Sequence, residues 1–325
     1  MTKPSLLVAR AIFPEVLAKL REHFDVVDNQ SDDVFSPKAL AALAQGRWGL
    51  LTTGSEHVDA NLLRSAPSLR MVANMAVGFN NFDVPALSAA GVQCSNTPDV
   101  LTQTTADFGV ALLMATARRL TESERFLRAG HWDKWAYDMF MGSDVFGSRL
   151  GILGMGRIGQ AIAKRAAKGF DMTVSYHNRT PLSRDQEHAC GASYVSQQDL
   201  FANNDHIMVV LPYSAQTHHI VGAAELALMP AHATLINIAR GGVVDELALI
   251  DALKNGRLAA AGLDVFEGEP FVNPGLTALS NVVLTPHIAS ASRATRLAMA
   301  NLAADNLIAF YTTGKALTPI NEVAA

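Results

Sequence analysis

Between residues 149 and 168 the chain carries a pattern that few folds can accommodate. Arg149-Leu150-Gly151-Ile152-Leu153 reads as a strand, Gly154-Met155-Gly156-Arg157-Ile158-Gly159 follows at once, and Gln160 to Lys168 reads as a helix. Glycine at the first position permits a tight turn. Glycine at the second lets a pyrophosphate approach the backbone, and at the third it lets the helix pack on the strand. The start of the helix offers free N–H groups and the positive end of a dipole. A glycine-rich turn with packing duty alone is the bland alternative; the strand and helix on either side argue against it. All six loop residues are therefore expected contacts of a dinucleotide.

The next strand, Thr173 to Tyr176, ends at His177-Asn178-Arg179-Thr180. A carboxylate at this place would accept from a ribose 2′-hydroxyl; none is present. Arg179 can form charge-assisted bonds to a 2′-phosphate, and Asn178 and Thr180 can add donors. The expected cofactor is NADPH in preference to NADH.

The rest of the chain follows a β-α-β-α rhythm, which implies parallel sheets with helices on their faces. Strands are expected at Ser5 to Val8, Phe24 to Val27, Gly49 to Thr52 and Arg70 to Met75. Helices are expected at Pro14 to Phe24, Pro37 to Ala44 and Asp59 to Ser65. One long helix is expected from about Thr102 to Ala129. An irregular aromatic segment follows, with Trp132, Trp135, Tyr137 and Phe140, suited to capping a pocket or covering a second subunit. A second series of strands is expected at Arg149 to Leu153, Thr173 to Tyr176, His206 to Leu211, Thr234 to Ile238, Ala260 to Asp264 and Val282 to Thr285. A last helix is expected from Ser292 to Thr312.

Composition narrows the partners. A net charge of -4 over 325 residues, with no basic block, gives no electrostatic reason to expect nucleic acid or a membrane surface. The two cysteines, Cys94 and Cys190, lie in no CxxC or Cys/His cluster, so neither a disulfide scaffold nor a metal site is expected. No apolar run approaches the ~20 residues of a membrane span. A cytoplasmic location is the expectation.

Three segments that follow strands carry possible chemistry: Ile238-Ala239-Arg240-Gly241-Gly242, Gly262 to Pro270, and Leu284-Thr285-Pro286-His287-Ile288-Ala289. Each alone has a plain structural reading, as an ion-pair partner, a solvated turn or a packed histidine. Together they meet the needs of reducing a 2-keto acid. Arg240 offers a planar fork for a carboxylate and a carbonyl oxygen. His287 is the candidate acid for the developing alkoxide, and Glu269 is the group that keeps that acid protonated.

With these residues in place the chain resembles the D-isomer-specific 2-hydroxyacid dehydrogenases, and within them the bacterial glyoxylate/hydroxypyruvate and 2-ketogluconate reductases. The resemblance is carried by Val77-Gly78-Phe79-Asn80-Asn81-Phe82-Asp83, Gly154 to Gly159, Ile238 to Gly241, Gly262 to Pro270 and Pro286-His287-Ile288, and covers nearly the whole chain. It implies an α/β architecture of two Rossmann-like parallel-sheet domains, one flavodoxin-like and one dinucleotide-binding, with an active-site cleft between them. Residues 1–100 and 289–325 would form the substrate-binding domain, and residues 101–288 the NAD(P)-binding domain. Arg240, Glu269 and His287 fall on the family's catalytic triad. Val77 and Gly78 match the loop that holds the substrate carboxylate, together with Arg240 and His287. Thr105 is similar to a nicotinamide-side contact, Leu211-Pro212 and Thr217 to an adenosine-side loop, and Asp264 to the residue that binds the carboxamide. Ile238, Ala239, Arg240 and His287 are expected along the cofactor. The resemblance also implies a homodimer. Formate dehydrogenases of the superfamily carry Gln where Glu269 stands.

The reading is thus NADPH-dependent reduction of glyoxylate, hydroxypyruvate or 2-ketogluconate to the D-2-hydroxy acid. The alternatives are an NAD-dependent D-lactate or D-glycerate dehydrogenase and a dinucleotide-sensing binding protein like the corepressors built on this fold.

Overall fold

Short runs of branched apolar residues that repeat between amphipathic helices pair in parallel, with both faces covered. The computed structural model, which describes residues 3–323, shows two such sheets. The chain divides into two compact units, Met1–Leu101 with Ala291–Ala325, and Thr102–Ser290.

The first unit holds β1 (Ser5–Val8), β2 (Asp25–Asp28), β3 (Gly49–Thr52), β4 (Met71–Asn74) and β5 (Gln93–Ser95). All pair in parallel in the order β2-β1-β3-β4-β5, the flavodoxin-like order. Alternate side chains serve opposite faces. Leu7, Leu50 and Val72 meet Leu40, Leu62, Leu63 and Leu87 from three helices on one side. Leu6, Val8, Leu51 and Met71 meet Val16, Leu17 and Leu20, and also Ala300, Ala303 and Leu307 from the Arg293–Thr313 helix, on the other. The end of the chain therefore completes the core of its beginning.

The second unit holds β6 (Arg149–Leu153), β7 (Thr173–His177), β8 (Ala192–Tyr194), β9 (His206–Val209), β10 (Thr234–Asn237), β11 (Ala260–Leu263) and β12 (Val282–Leu284). Their order is β12-β11-β10-β9-β6-β7-β8, all parallel. Six of these strands reproduce the doubly wound dinucleotide-binding order, with β12 added at one edge. The order reverses between β6 and β9, and ligands bind in the crevice above such a switch point. One face packs Leu150, Ile152, Val174 and Tyr176 under the Thr102–Ala117 and Arg157–Gly169 helices. The other packs Ile207, Val209, Leu235 and Leu263 against Leu200, Phe201, Leu249 and Leu253.

Two expectations need correction. The helix expected from Thr102 to Ala129 is two helices, Thr102–Ala117 and Leu120–Arg128, with Arg119 left-handed between them at φ 51°. The Ala117 carbonyl accepts from the Ser143 N–H at 2.9 Å, so it is taken by a chain segment that returns to it. Arg119 ion-pairs with Glu122 at 2.8 Å and lies over the Phe140 ring, which holds the bend. Two short strands, β5 and β8, were not expected. Each has three residues and sits at a sheet edge, where polar side chains hide the strand pattern.

Candidate active site

The glycine loop leaves β6 at the switch point. Gly154 has φ 103°, and a Cβ there would lie 2.6 Å from the Val210 carbonyl oxygen, so no other residue fits the turn. A Cβ on Gly159 would lie 2.3 Å from the Gly154 oxygen, which is how the helix comes down onto the strand. A Cβ on Gly156 would meet nothing within 4 Å. Gly156 is the N-cap of the Arg157–Gly169 helix, and no side chain caps it. Open space in front of an uncapped helix start fits a pyrophosphate. Gly156 and Arg157 are exposed and Ile158 is half-buried. Met155 serves the loop itself: its side chain is buried, and its N–H donates to Asn178 Oδ1 at 2.8 Å.

At the end of β7, His177 Nδ1 lies 2.9 Å from the Val195 carbonyl oxygen. A nitrogen facing a carbonyl carries a proton, so Nδ1 is the donor. Arg179 and Thr180 are exposed and make no hydrogen bond or ion pair among the described residues. No carboxylate stands at positions 177–180. Beyond β9, Thr217 Oγ1 donates to the Pro212 oxygen and accepts from the Ser214 N–H, both at 2.8 Å, closing the loop that carries Leu211 and Pro212.

The candidate reacting residues stand on three loops after β10, β11 and β12. Ile238 and Ala239 are buried, and Asn237 Oδ1 accepts from the Ala239 N–H at 3.0 Å. Arg240 Nη1 donates to the Ala239 oxygen at 2.8 Å. Burial pushes the Arg240 guanidinium below its ordinary value, against the pull of the Glu269 charge. A Cβ on Gly241 would overlap the Phe266 oxygen at 1.8 Å, so glycine is required for this loop to pass the next one.

Glu269 Oε1 accepts from the Phe266 N–H at 2.9 Å, and Oε2 lies 2.8 Å from His287 Nδ1. Burial pushes the Glu269 carboxyl up. The His287 bond and charge, the Phe266 N–H and the Arg240 charge outweigh it, and the group sits below the usual carboxylate range. A charged Glu269 fixes the imidazole with a proton on Nδ1 and leaves Nε2 pointing away from the carboxylate. His287 itself is left-handed, at φ 52°.

Asp264 holds that strained turn. Its side chain is fully buried and accepts from Thr285 Oγ1 at 2.7 Å and from the Ile288 and Ala289 N–H groups, both at 2.9 Å. Its backbone oxygen accepts from the His287 N–H at 2.9 Å. Burial pushes its carboxyl up, against these bonds. Its side chain exposes no surface and braces the histidine turn.

Sequence reasoning missed Glu246. It is a buried carboxylate that accepts from the Glu267 N–H at 2.7 Å and so supports the loop bearing Glu269. Its position one residue after the N-cap Asp245 gave it the look of an ordinary helix-start acid.

Thr105 lies on the Thr102–Ala117 helix, and its buried Oγ1 has no hydrogen-bond partner among the described residues. Val77 and Gly78 belong to the other unit, on the loop after β4, half-buried.

This geometry meets a clear match among known proteins. Residues 110–289 match the family model of the D-isomer specific 2-hydroxyacid dehydrogenase, NAD binding domain. The chain belongs to that family. It is an NAD(P)-dependent oxidoreductase acting on CH–OH groups, and a nicotinamide dinucleotide is its cofactor. The glyoxylate reductase of Thermococcus onnurineus is 45% identical over 312 residues, 95% of this chain and 93% of the relative. That of Pyrococcus horikoshii is 46% identical over 313 residues, again 95% and 93%. Among solved structures, an NADPH-dependent glyoxylate/hydroxypyruvate reductase from Sinorhizobium meliloti, in complex with NADP and malonate, superimposes with a TM-score of 0.87. It is 38% identical to this dehydrogenase, and the match covers 98% and 97% of the two chains.

Proposed function

We propose that the enzyme reduces small 2-keto acids, glyoxylate and hydroxypyruvate foremost and 2-ketogluconate next, to D-2-hydroxy acids with NADPH. The observation that carries this reading is the Glu269–His287 pair at 2.8 Å, with the Arg240 charge acting on the same carboxylate. The dinucleotide, when bound, supplies the hydride. Arg240 binds the keto-acid carboxylate and polarises the carbonyl. His287 Nε2 gives its proton to the oxygen that becomes the hydroxyl, while Glu269 stabilises the imidazolium beforehand.

The loop from Gly154 to Gly159 cradles the phosphates. His177, Asn178, Arg179 and Thr180 form the 2′-phosphate end, with Arg179 as the cation. Leu211, Pro212 and Thr217 flank the adenosine, Ile238 and Ala239 line the cofactor by their backbone, and the unpartnered Thr105 hydroxyl faces the nicotinamide side. Val77 and Gly78 take the substrate carboxylate, which makes the first unit the substrate-binding domain. The relatives' names support the substrate class, since several are glyoxylate reductases.

We also propose a homodimer. The Leu120–Arg128 helix buries none of its residues, and Trp132, Trp135, Tyr137, Met141 and Phe146 are exposed beside it in sequence. An apolar set of this size suits a subunit interface.

The test is turnover of glyoxylate and hydroxypyruvate, followed at the nicotinamide absorbance band with each cofactor. NADPH should give the higher kcat/KM, and Arg179→Ala should lower that value for NADPH about tenfold or more while sparing NADH. A wild-type preference for NADH would refute the cofactor assignment. No turnover across a panel of 2-keto acids would favour the dinucleotide sensor.

A further inference from the structure

The loop after β4 carries three successive carbonyls that are all taken from the protein side. The Ala76 oxygen accepts from the Thr97 N–H at 2.9 Å. The Val77 oxygen accepts from Asn96 Nδ2 at 2.8 Å, and the Gly78 oxygen from Asn74 Nδ2 at 2.9 Å. In a planar trans peptide the N–H of the following residue points opposite to the carbonyl. Fixing the carbonyls of 76, 77 and 78 inward therefore aims the N–H groups of Val77, Gly78 and Phe79 outward. Those three amides donate to no acceptor among the described residues, and Val77 and Gly78 are only half-buried. Successive outward N–H groups form a concavity for an anion.

The two asparagines are built for this task in different ways. Asn74 ends β4 and is fully buried. Its Oδ1 accepts from Thr52 Oγ1 at 3.2 Å, and its Nδ2 also reaches Asn81 Oδ1 at 3.2 Å. Asn81 in turn donates to the Thr53 and Glu56 oxygens, at 3.1 and 2.8 Å, which ties the far end of the loop to the segment after β3. Asn96 follows β5, and among the described residues its side chain bonds to Val77 alone. Thr318 Oγ1 donates to its backbone oxygen at 2.6 Å and holds it in place.

We infer that Asn74 and Asn96 are positioning residues for substrate: by holding the Val77 and Gly78 carbonyls inward they present a row of backbone amides to the carboxylate of the keto acid. The inference rests on the reading of Val77–Gly78 as the carboxylate loop. It adds the residues that set the loop's polarity. An aspartate at either place would turn an acceptor toward the carbonyl and release the peptide.

The test uses Asn96→Asp and Asn96→Ala in the full-length enzyme, with oxamate as the probe. Oxamate is titrated into enzyme saturated with NADPH, followed by nicotinamide fluorescence, and glyoxylate kinetics are run alongside. Both variants should bind oxamate about tenfold or more weakly, since small displacements of positioning groups are costly. The KM for glyoxylate should rise in parallel, with kcat within about twofold to threefold and the Kd for NADPH unchanged, the mark of lost ground-state binding. Asn96→Gln, which keeps a donor, should recover part of the affinity. Wild-type affinity for oxamate in a variant that melts cooperatively would overturn the inference. Should Asn96→Asp fail to fold, Asn96→Ala decides. If wild-type enzyme itself binds no oxamate, the carboxylate-loop reading fails first, and the inference with it.

Discussion

His287 is placed by three kinds of contact: a carboxylate on Nδ1, a backbone N–H on the Asp264 oxygen, and a left-handed φ of 52°. Two of these are independent of the imidazole, so the ring can be removed without unravelling the turn. His287→Ala should lower kcat by about 10²- to 10⁴-fold, the usual range for a general acid, with the Kd for NADPH nearly intact. Arg240→Ala should lower kcat and also raise the KM for keto acid, because the proposed fork holds the ground-state carboxylate and binds the carbonyl oxygen more tightly as charge develops on it. Steady-state kinetics with a direct NADPH titration measure both; wild-type turnover in either variant would refute its role. Arg240, Glu269 and His287 were legible as candidates because each is a charged or titratable residue on a loop that follows a strand. Asn178, Asn74 and Asn96 were harder to read for their work. An amide's partner is a backbone group elsewhere in the fold, and nothing in the local sequence points to it. Asp264 was legible as important, but its burial could not be read from its neighbours, and burial decides what its carboxylate touches.

At the scale of elements, the parallel sheets were readable because central strands such as Leu6-Leu7-Val8 and Leu50-Leu51 are apolar on both faces. The edge strands and the bend at Arg119 were not. Three-residue polar strands carry no period, and a helix is broken here by a carbonyl that a distant serine captures. The second sheet also carries a clamp at its lower edge. Asp205, just before β9, accepts from the Arg149 N–H at 2.9 Å and from its guanidinium at 2.7 and 3.1 Å, and lies 2.9 Å from His232. Arg149 foremost, with His232, outweighs burial and holds the Asp205 carboxyl well below the usual range. A carboxylate lowered in the folded state stabilises fully above its unfolded value of about 3.9, and that contribution is lost as pH falls through the folded value. Asp205→Asn should therefore destabilise the fold at pH 7, by about 1–2 kcal/mol given the partly exposed partners. The gap from wild type should narrow below about pH 4. Thermal melts of both proteins across pH 2–8 test this; a gap that stayed constant with pH would show that the clamp acts through packing alone.

At the scale of the whole molecule, the dimer proposal makes a simple demand. Sedimentation equilibrium should give twice the 34.7 kDa chain mass. Trp135→Glu and Leu127→Glu together should shift it toward the monomer, with β-sheet content by circular dichroism unchanged. A wild-type monomer at micromolar concentration would refute the proposal. The path of the chain has a separate consequence, for synthesis. Leu6, Val8, Leu51 and Met71 leave the ribosome early, but the Arg293–Thr313 helix that contributes Ala300, Ala303 and Leu307 to their cover leaves it last. Translation of the whole second unit intervenes. For that interval part of the first sheet's face has no cover from its own chain, and a stop codon near Ser290 would remove the whole helix that supplies it.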